Sequence, residues 1–212
     1  MQKRSLFITF EGMDGSGKTT QMRVLGQRLR AHGRAVLETA EPGGTRIGMQ
    51  IRRVLLDSAN QELWPTAELL LYFACRAQNV DQWILPALAE GKIVISDRFT
   101  DSTLVYQGCG RGLGAETVMA LDRIACRGLV PDLTLLIDID AETSLARAHA
   151  RNKRAPHAET RMDEQSLEFH RKVYEAYHAL AAREPQRVRI IDGRADRELM
   201  AQQIWSVVEP YV

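Results

Sequence analysis

Apolar runs of strand length alternate along this chain with segments whose apolar residues recur at helical spacing. "LFITF" (6–10) is the first run, and a helix-period segment follows from about Lys18 to His32, ended by Gly33. "AVLET" (35–39) leads into the breaker-rich "EPGG" (41–44) and then a helical stretch through Leu56. Pro65 opens a long helical pattern that Pro86 is expected to kink and Gly91 to end. "IVIS" (93–96) and "LTLLIDI" (133–139) are the most strand-like runs; "VRIID" (188–192) is a weaker fifth before a closing helix. Strands alternating with helices predict an α/β fold, a parallel sheet with helices on both faces. No repeat and no Ser/Gly or charged linker divides the chain, so residues 1–212 read as one domain. One stretch departs from the pattern: "RNKRAPHAETR" (151–161) is basic, holds a proline and lacks apolar periodicity. It is expected to be an exposed, mobile excursion from a helical pair.

Composition narrows the function more than the fold. With 45% hydrophobic and 26% charged residues over 212 positions, the chain suits one soluble domain with a sizeable core. A net charge of +1 argues against a broad electrostatic grip on a nucleic-acid polymer or an acidic membrane. Cys75, Cys109 and Cys126 form no C-x-x-C pair, and the histidines lack metal-ligand spacing, which excludes a zinc site or disulfide framework as the organising feature. The N-terminal apolar run stops at Glu11, too short for a signal segment, and nothing approaches the roughly 20 apolar residues of a membrane span. A cytoplasmic protein is expected.

The chemistry enters at "GMDGSGKTT" (12–20). Gly12, Gly17, Lys18 and Thr19 satisfy G-x-x-x-x-G-K-[ST] between a predicted strand and a predicted helix. Glycines there let backbone N–H groups converge on phosphate oxygens, and the helix N-terminus adds its positive dipole. The loop residues Gly12, Met13, Asp14, Gly15, Ser16, Gly17, Lys18, Thr19 and Thr20 are therefore expected to hold the phosphates of ATP. Lys18 would serve the β- and γ-phosphates, and Thr19 would ligate Mg²⁺. The carboxylate of Asp14 has no use for donor phosphate and is expected to face whatever accepts it. A GTPase switch is a poor fit: the only D-x-x-G is "DGSG" (14–17), inside the loop, and "NKRA" (152–155) has Ala155 where a guanine-reading Asp belongs.

Two further clusters suggest an acceptor. Asp97 and Arg98 emerge at the carboxyl end of the third strand, where α/β sheets gather ligands. Asp97 suits Mg²⁺ or its water shell, and Arg98 suits an acceptor phosphate. Thr103 and Gln107 beyond them, four apart, share a helical face and offer groups suited to a base edge. In "LLYFACRAQ" (70–78), Tyr72 and Arg76 stand one turn apart, an aromatic face beside a guanidinium. Taken alone Tyr72 reads more readily as a core aromatic than as a base-stacking ring, whereas a buried Arg76 would need a partner.

In their order and spacing, "FEGMDGSGKTT", "EPGGT", "YFACRAQ", "DRFTDSTLVYQGCGRG" and the segment "RMDEQSLEFHRKVYEAY" resemble the thymidylate kinases over nearly the whole chain, most strongly over 6–112. The resemblance implies a P-loop kinase with a five-stranded parallel sheet and a short mobile lid, here about 147–163, moving the γ-phosphate of ATP to dTMP with Mg²⁺. It also implies a homodimer. Matched position by position, it gives Arg52 the acceptor phosphate, Tyr72 the face of thymine, and Arg76, Thr103 and Gln107 the base edge. It gives Asp14 the acceptor sugar, and Asp97 and Arg98 the family's D-R pair, followed here by Phe99 where Tyr or His is more usual. Eukaryotic-type members carry an arginine directly after the loop acid; here that residue is Gly15. A catalytic arginine is then expected from the lid, with Arg147, Arg151, Arg154 and Arg161 as candidates and Arg151 and Arg161 ranked first. Two rivals remain at this stage: a kinase for another nucleotide or a nucleoside, and a P-loop regulatory ATPase indifferent to dTMP.

Overall fold

The strand built from "LFITFE", β1 (Leu6–Glu11), is buried at every position. An apolar run without alternation can only be satisfied in the middle of a sheet covered on both faces, and that is where β1 lies. The computed structural model describes residues 5–153 and 159–212, and Arg154 by its backbone alone. Five parallel strands, β1, β2 (Val36–Ala40), β3 (Ile93–Asp97), β4 (Leu133–Asp138) and β5 (Val188–Asp192), pair in the order β2-β3-β1-β4-β5. The three inner strands are the most apolar runs of the sequence. The weaker "VRIID" is an edge strand with exposed positions, which is why its signal is diluted.

One face of the sheet packs Leu6, Ile8 and Phe10 against α1 (Lys18–Ala31) and α9 (Arg197–Val208). The other packs Phe7 with residues of α3 (Pro65–Asn79) and α6 (Ala115–Ala125). Before α3 comes α2 (Arg46–Leu56), whose N-cap Thr45 accepts a hydrogen bond from the N–H of Gly48. Where Pro86 was expected to kink the helix, a π-helical turn over Val80–Ile84 joins α3 to α4 (Leu85–Ala89). There the N–H of Leu85 reaches back to Val80, so the wider turn makes room for a ring that cannot donate. A second π-helix, Leu104–Gly110, follows the short α5 (Thr100–Thr103), so Thr103 and Gln107 are not one α-helical turn apart as their spacing suggested. The chain closes with α7 (Ala141–Arg154), α8 (Leu167–Arg183), β5 and α9. The first part of the basic stretch is helical, continuing α7 to Arg154. The expectation of a mobile lid falls in part on residues 155–158, which lie outside the described residues.

Candidate active site

The loop between β1 and α1 is shaped by what crosses it. Gly12 has φ 127°, and a Cβ there would collide with the carbonyl oxygen of Ile137 at the end of β4. Gly15 has φ 74°, and its Cβ would come within 2.8 Å of the Cβ of Arg147 on α7. The helix therefore occupies the space that a side chain after Asp14 would need. No side chain caps the start of α1 at Gly17, so the helix N-terminus stays open to an anion. Lys18 is buried, and its Nζ donates to the carbonyl of Met13 at 2.7 Å, with Ser16 Oγ at 3.4 Å. Burial and the nearby Arg98 pull its ammonium down to about 8. Asp14, Gly15, Gly17, Lys18, Thr19 and Thr20 line a cleft of about 620 Å³. The Met13 side chain instead packs into the core with Val105 and Tyr106, and Ser16 is buried. Thr19 Oγ1 donates to Asp97 Oδ2 at 2.6 Å, placing a hydroxyl and a carboxylate side by side at the cleft.

The register that sets Phe10 beside Asp97 brings Arg98 next to the loop. Arg98 sits in the left-handed region at φ 72°, a conformation that costs a non-glycine residue about 1 kcal/mol or more. Its backbone is held there by the N–H to Phe10 O at 2.9 Å and by Ser96 Oγ donating to its carbonyl at 2.7 Å. The guanidinium donates to Asp14 Oδ1 at 3.0 Å and to Ser102 Oγ at 2.9 Å. Burial alone would raise the Asp14 carboxyl, but Arg98 and Lys18 outweigh it and hold the group well below the usual carboxylate range. The acid of the phosphate loop is thus ionised and turned toward Arg98.

Beneath Arg98 lies Glu11, fully buried, a residue the sequence marks only as the end of an apolar run. Its carboxylate accepts from Phe99 N–H (2.8 Å), Ser102 Oγ (2.5 Å) and Tyr177 OH (2.8 Å). Ser102 and Tyr177 also touch the Arg98 guanidinium, at 2.9 and 3.3 Å, so Glu11 organises the groups that aim it. Burial pushes the Glu11 carboxyl up to about 7.

The remaining predicted residues form the far wall. Arg76, 1% exposed, meets the partner its burial demanded: Glu41 of "EPGG" accepts from its Nε at 2.5 Å, and Asn79 donates to the same carboxylate at 3.1 Å. Nη2 of Arg76 donates to Thr103 Oγ1 at 2.9 Å, while buried Nη1 has no hydrogen-bond partner among the described residues. Gln107 donates to Glu68 at 2.8 Å, and with Thr103 and half-buried Tyr72 it lines the cleft despite the π-helical backbone. Arg52 lines the same wall, held by Glu159 through Nε (3.0 Å) and Nη2 (2.9 Å).

The lid arginines separate. Arg147 and Arg151 reach the cleft, the latter through an ion pair with buried Asp163 at 2.8 Å. Arg161 does not: it is 2% exposed, pairs with Glu68 at 2.7 Å and donates to Leu55 O. The expectation that this end of the basic stretch is exposed is corrected here. The reason is Glu68, a buried carboxylate that draws both Arg161 and Arg111 inward. The side chain of Arg154 lies outside the described residues. Sequence reasoning missed Glu11, Glu41, Glu68, Glu159 and Asp163, the acids that hold the arginines; the one available signal was the need of a buried Arg76 for a counter-charge.

An uncapped helix N-terminus with a buried lysine thus faces three arginines across one cleft, an arrangement suited to passing phosphate between two anionic ligands. Known proteins point the same way. The thymidylate kinase family profile matches residues 10–204. The thymidylate kinase of Pelobacter propionicus is 50% identical over 203 residues, covering 95% of this chain and 93% of that one. That of a Synechococcus strain is 50% identical over 205 residues, covering 97% and 95%. The crystal structure of thymidylate kinase from Ehrlichia chaffeensis superimposes with a TM-score of 0.79 at 31% identity, covering 97% of this chain and 99% of its own.

Proposed function

For this chain, which belongs to the thymidylate kinase family and phosphorylates dTMP to dTDP with ATP, we propose the following division of labour among its residues. The triphosphate of ATP lies on the loop of residues 12–20, with Lys18 at its distal phosphates. Thr19 and Asp97, already 2.6 Å apart, offer a hydroxyl and a carboxylate oxygen that would together hold a hard divalent cation. Mg²⁺ held there would neutralise charge on the transferring phosphate. Opposite, thymine lies against Tyr72, and its edge meets the buried Nη1 of Arg76 together with Thr103 and Gln107. Arg52 and Arg98 align the dTMP phosphate, and Asp14, ionised between them and the loop, faces the sugar.

An oxygen of the dTMP phosphate attacks the γ-phosphorus as the bond to ADP breaks. Because that oxygen is already anionic, no general base is needed, and positioning with charge stabilisation carries the rate. Arg151, with Arg147 beside it, is the arginine we assign to the transferring phosphate. Arg161 is assigned instead to holding Glu68 and, through it, Gln107. The single observation that carries this reading is the placement of Arg52, Arg76 and Arg98 in one cleft facing Lys18. Assaying dTMP, dUMP, dCMP, AMP and thymidine as acceptors tests it: dTMP should be strongly preferred and thymidine inert. Equal use of AMP or thymidine would refute the assignment of the base and phosphate sites.

A homodimer is supported by exposed apolar side chains on three adjacent helices: Met49 and Val54 of α2, Leu70 of α3, and Met119 and Ile124 of α6. Light scattering of the purified protein checks it, with twice the chain mass expected. Among the described residues no helix is long and apolar enough to cross a membrane, in keeping with the cytoplasmic setting we assign.

A further inference from the structure

The three acceptor-side arginines are not equally ready for a ligand. Arg76 keeps a buried nitrogen without a hydrogen-bond partner among the described residues, and Arg98 meets Asp14 through Nη2. Arg52 is different. Both carboxylate oxygens of Glu159 lie against its Nε, at 3.0 and 3.2 Å, and one also takes Nη2 at 2.9 Å. Its Nη1 is occupied by the carbonyl of Pro42 at 2.8 Å. This side-on approach of two oxygens to the guanidinium fork is also the way arginine takes a phosphate. The pair is not locked away: the two side chains are 28% and 35% exposed, and both line the cleft.

We propose that Glu159 sets how tightly the cleft holds its acceptor, because its carboxylate occupies the guanidinium that the acceptor phosphate must take. Binding dTMP is then an exchange of one anion for another on Arg52, not the filling of a free site. The inference rests on the assignment of Arg52 to the acceptor phosphate. Its consequence is specific. The phosphate of dTMP and the inner phosphate of dTDP would both meet the same competitor, so substrate and product are weakened alike. Grip shared by substrate and transition state lowers KM without raising kcat, so such a competitor costs little in turnover while easing product release. Thymidine, which brings no anion, leaves the Arg52–Glu159 pair in place and is indifferent to it.

The test measures dissociation constants of dTMP, dTDP, thymidine and ATP for the full chain and for Glu159→Gln, Glu159→Ala and Arg52→Ala. Partly exposed ion pairs support only a modest effect, so dTMP and dTDP should bind about two- to fivefold more tightly in both Glu159 variants. Thymidine and ATP should be unchanged. In an Arg52→Ala background, Glu159→Ala should do nothing further. The proposal is overturned if dTMP binds equally or more weakly in both variants, or if thymidine tightens as much as dTMP. It is also overturned if the gain survives loss of Arg52. If the parent chain bound dTMP no better than thymidine, or if Arg52→Ala left dTMP affinity intact, the assignment of Arg52 would fail first and the proposal with it.

Discussion

The donor and acceptor sides of the cleft are built on different principles. The donor side, as assigned above, is one contiguous loop in which backbone geometry and a single lysine would do the binding. The acceptor side is assembled from α2, α3, the turn after β3 and the π-helix that follows α5, and each of its arginines is held by an acid from elsewhere. Arg76 has Glu41, Arg98 has Asp14 and Arg52 has Glu159. A backbone cradle tolerates many side chains around it but few changes in its glycines. A set of paired side chains is tunable residue by residue, and fails wherever a charge loses its counterpart. On the division of labour proposed above, the loop would hold the donor phosphates by its backbone, and discrimination between acceptors would reside in the opposite wall.

This contrast can be broken most forcefully at Lys18. Lys18→Ala should lower kcat by about a thousandfold while leaving dTMP affinity intact, since only the donor side is touched. Titration of dTMP alongside the assay checks both halves. On the acceptor side the vulnerable element is a counter-charge. Glu41→Ala leaves the Arg76 guanidinium buried without an anion and should cost about 3–5 kcal/mol of stability, read by chemical denaturation. An unchanged denaturation midpoint would show that the pair does not hold the wall.

Asp14 belongs to both sides, by chain position to the donor loop and by contact to Arg98. Asp14→Asn should raise KM for dTMP about tenfold with little change for ATP, sharpening the view that the loop acid works for the acceptor. An effect confined to ATP would reverse that assignment. Smaller effects follow from titration. With its ammonium drawn down to about 8, Lys18 loses its charge as pH rises through that value. The ratio kcat/KM for ATP should then fall above pH 8, by no more than about tenfold per pH unit.

The slightest expected change concerns Glu11. Its folded-state value of about 7 lies above the ordinary 4.5, so the folded protein binds this proton more tightly than the unfolded chain. The contribution of Glu11 to stability is therefore greatest below about pH 4.5, falls as pH rises, and has gone above about pH 7. Glu11→Gln should flatten the decline in melting temperature between pH 5 and 7. A parallel decline in both proteins would place the titrating group elsewhere.

Much of this is legible in the sequence. All five strands lie where unbroken or alternating apolar runs stand, because a buried parallel sheet demands such runs. The phosphate loop was legible because its parts are neighbours in the chain. The homologous order of Tyr72, Arg76, Thr103 and Gln107 told which residues meet, although the π-helix that carries Gln107 left no trace in the spacing. Arg161 shows the opposite case: a basic residue in a polar stretch looks exposed, and nothing local reveals that Glu68 waits for it 93 positions away.

What the residues alone settled about this protein is therefore what depends on local order: the strands, the loop from Gly12 to Thr20, and the need of a buried Arg76 for an anion. What awaited the fold is the matching of charges across long separations, Glu41 to Arg76, Glu159 to Arg52 and Glu68 to Arg161. The reason is physical. Backbone hydrogen bonding and apolar burial act over a few residues and impress a period on the chain. An ion pair is selected only by which side chains the packed sheet and helices bring within reach, and that leaves no periodic mark. Gly15 lies at the boundary, conspicuous as a missing side chain and explained only by the passage of Arg147 and α7 against it.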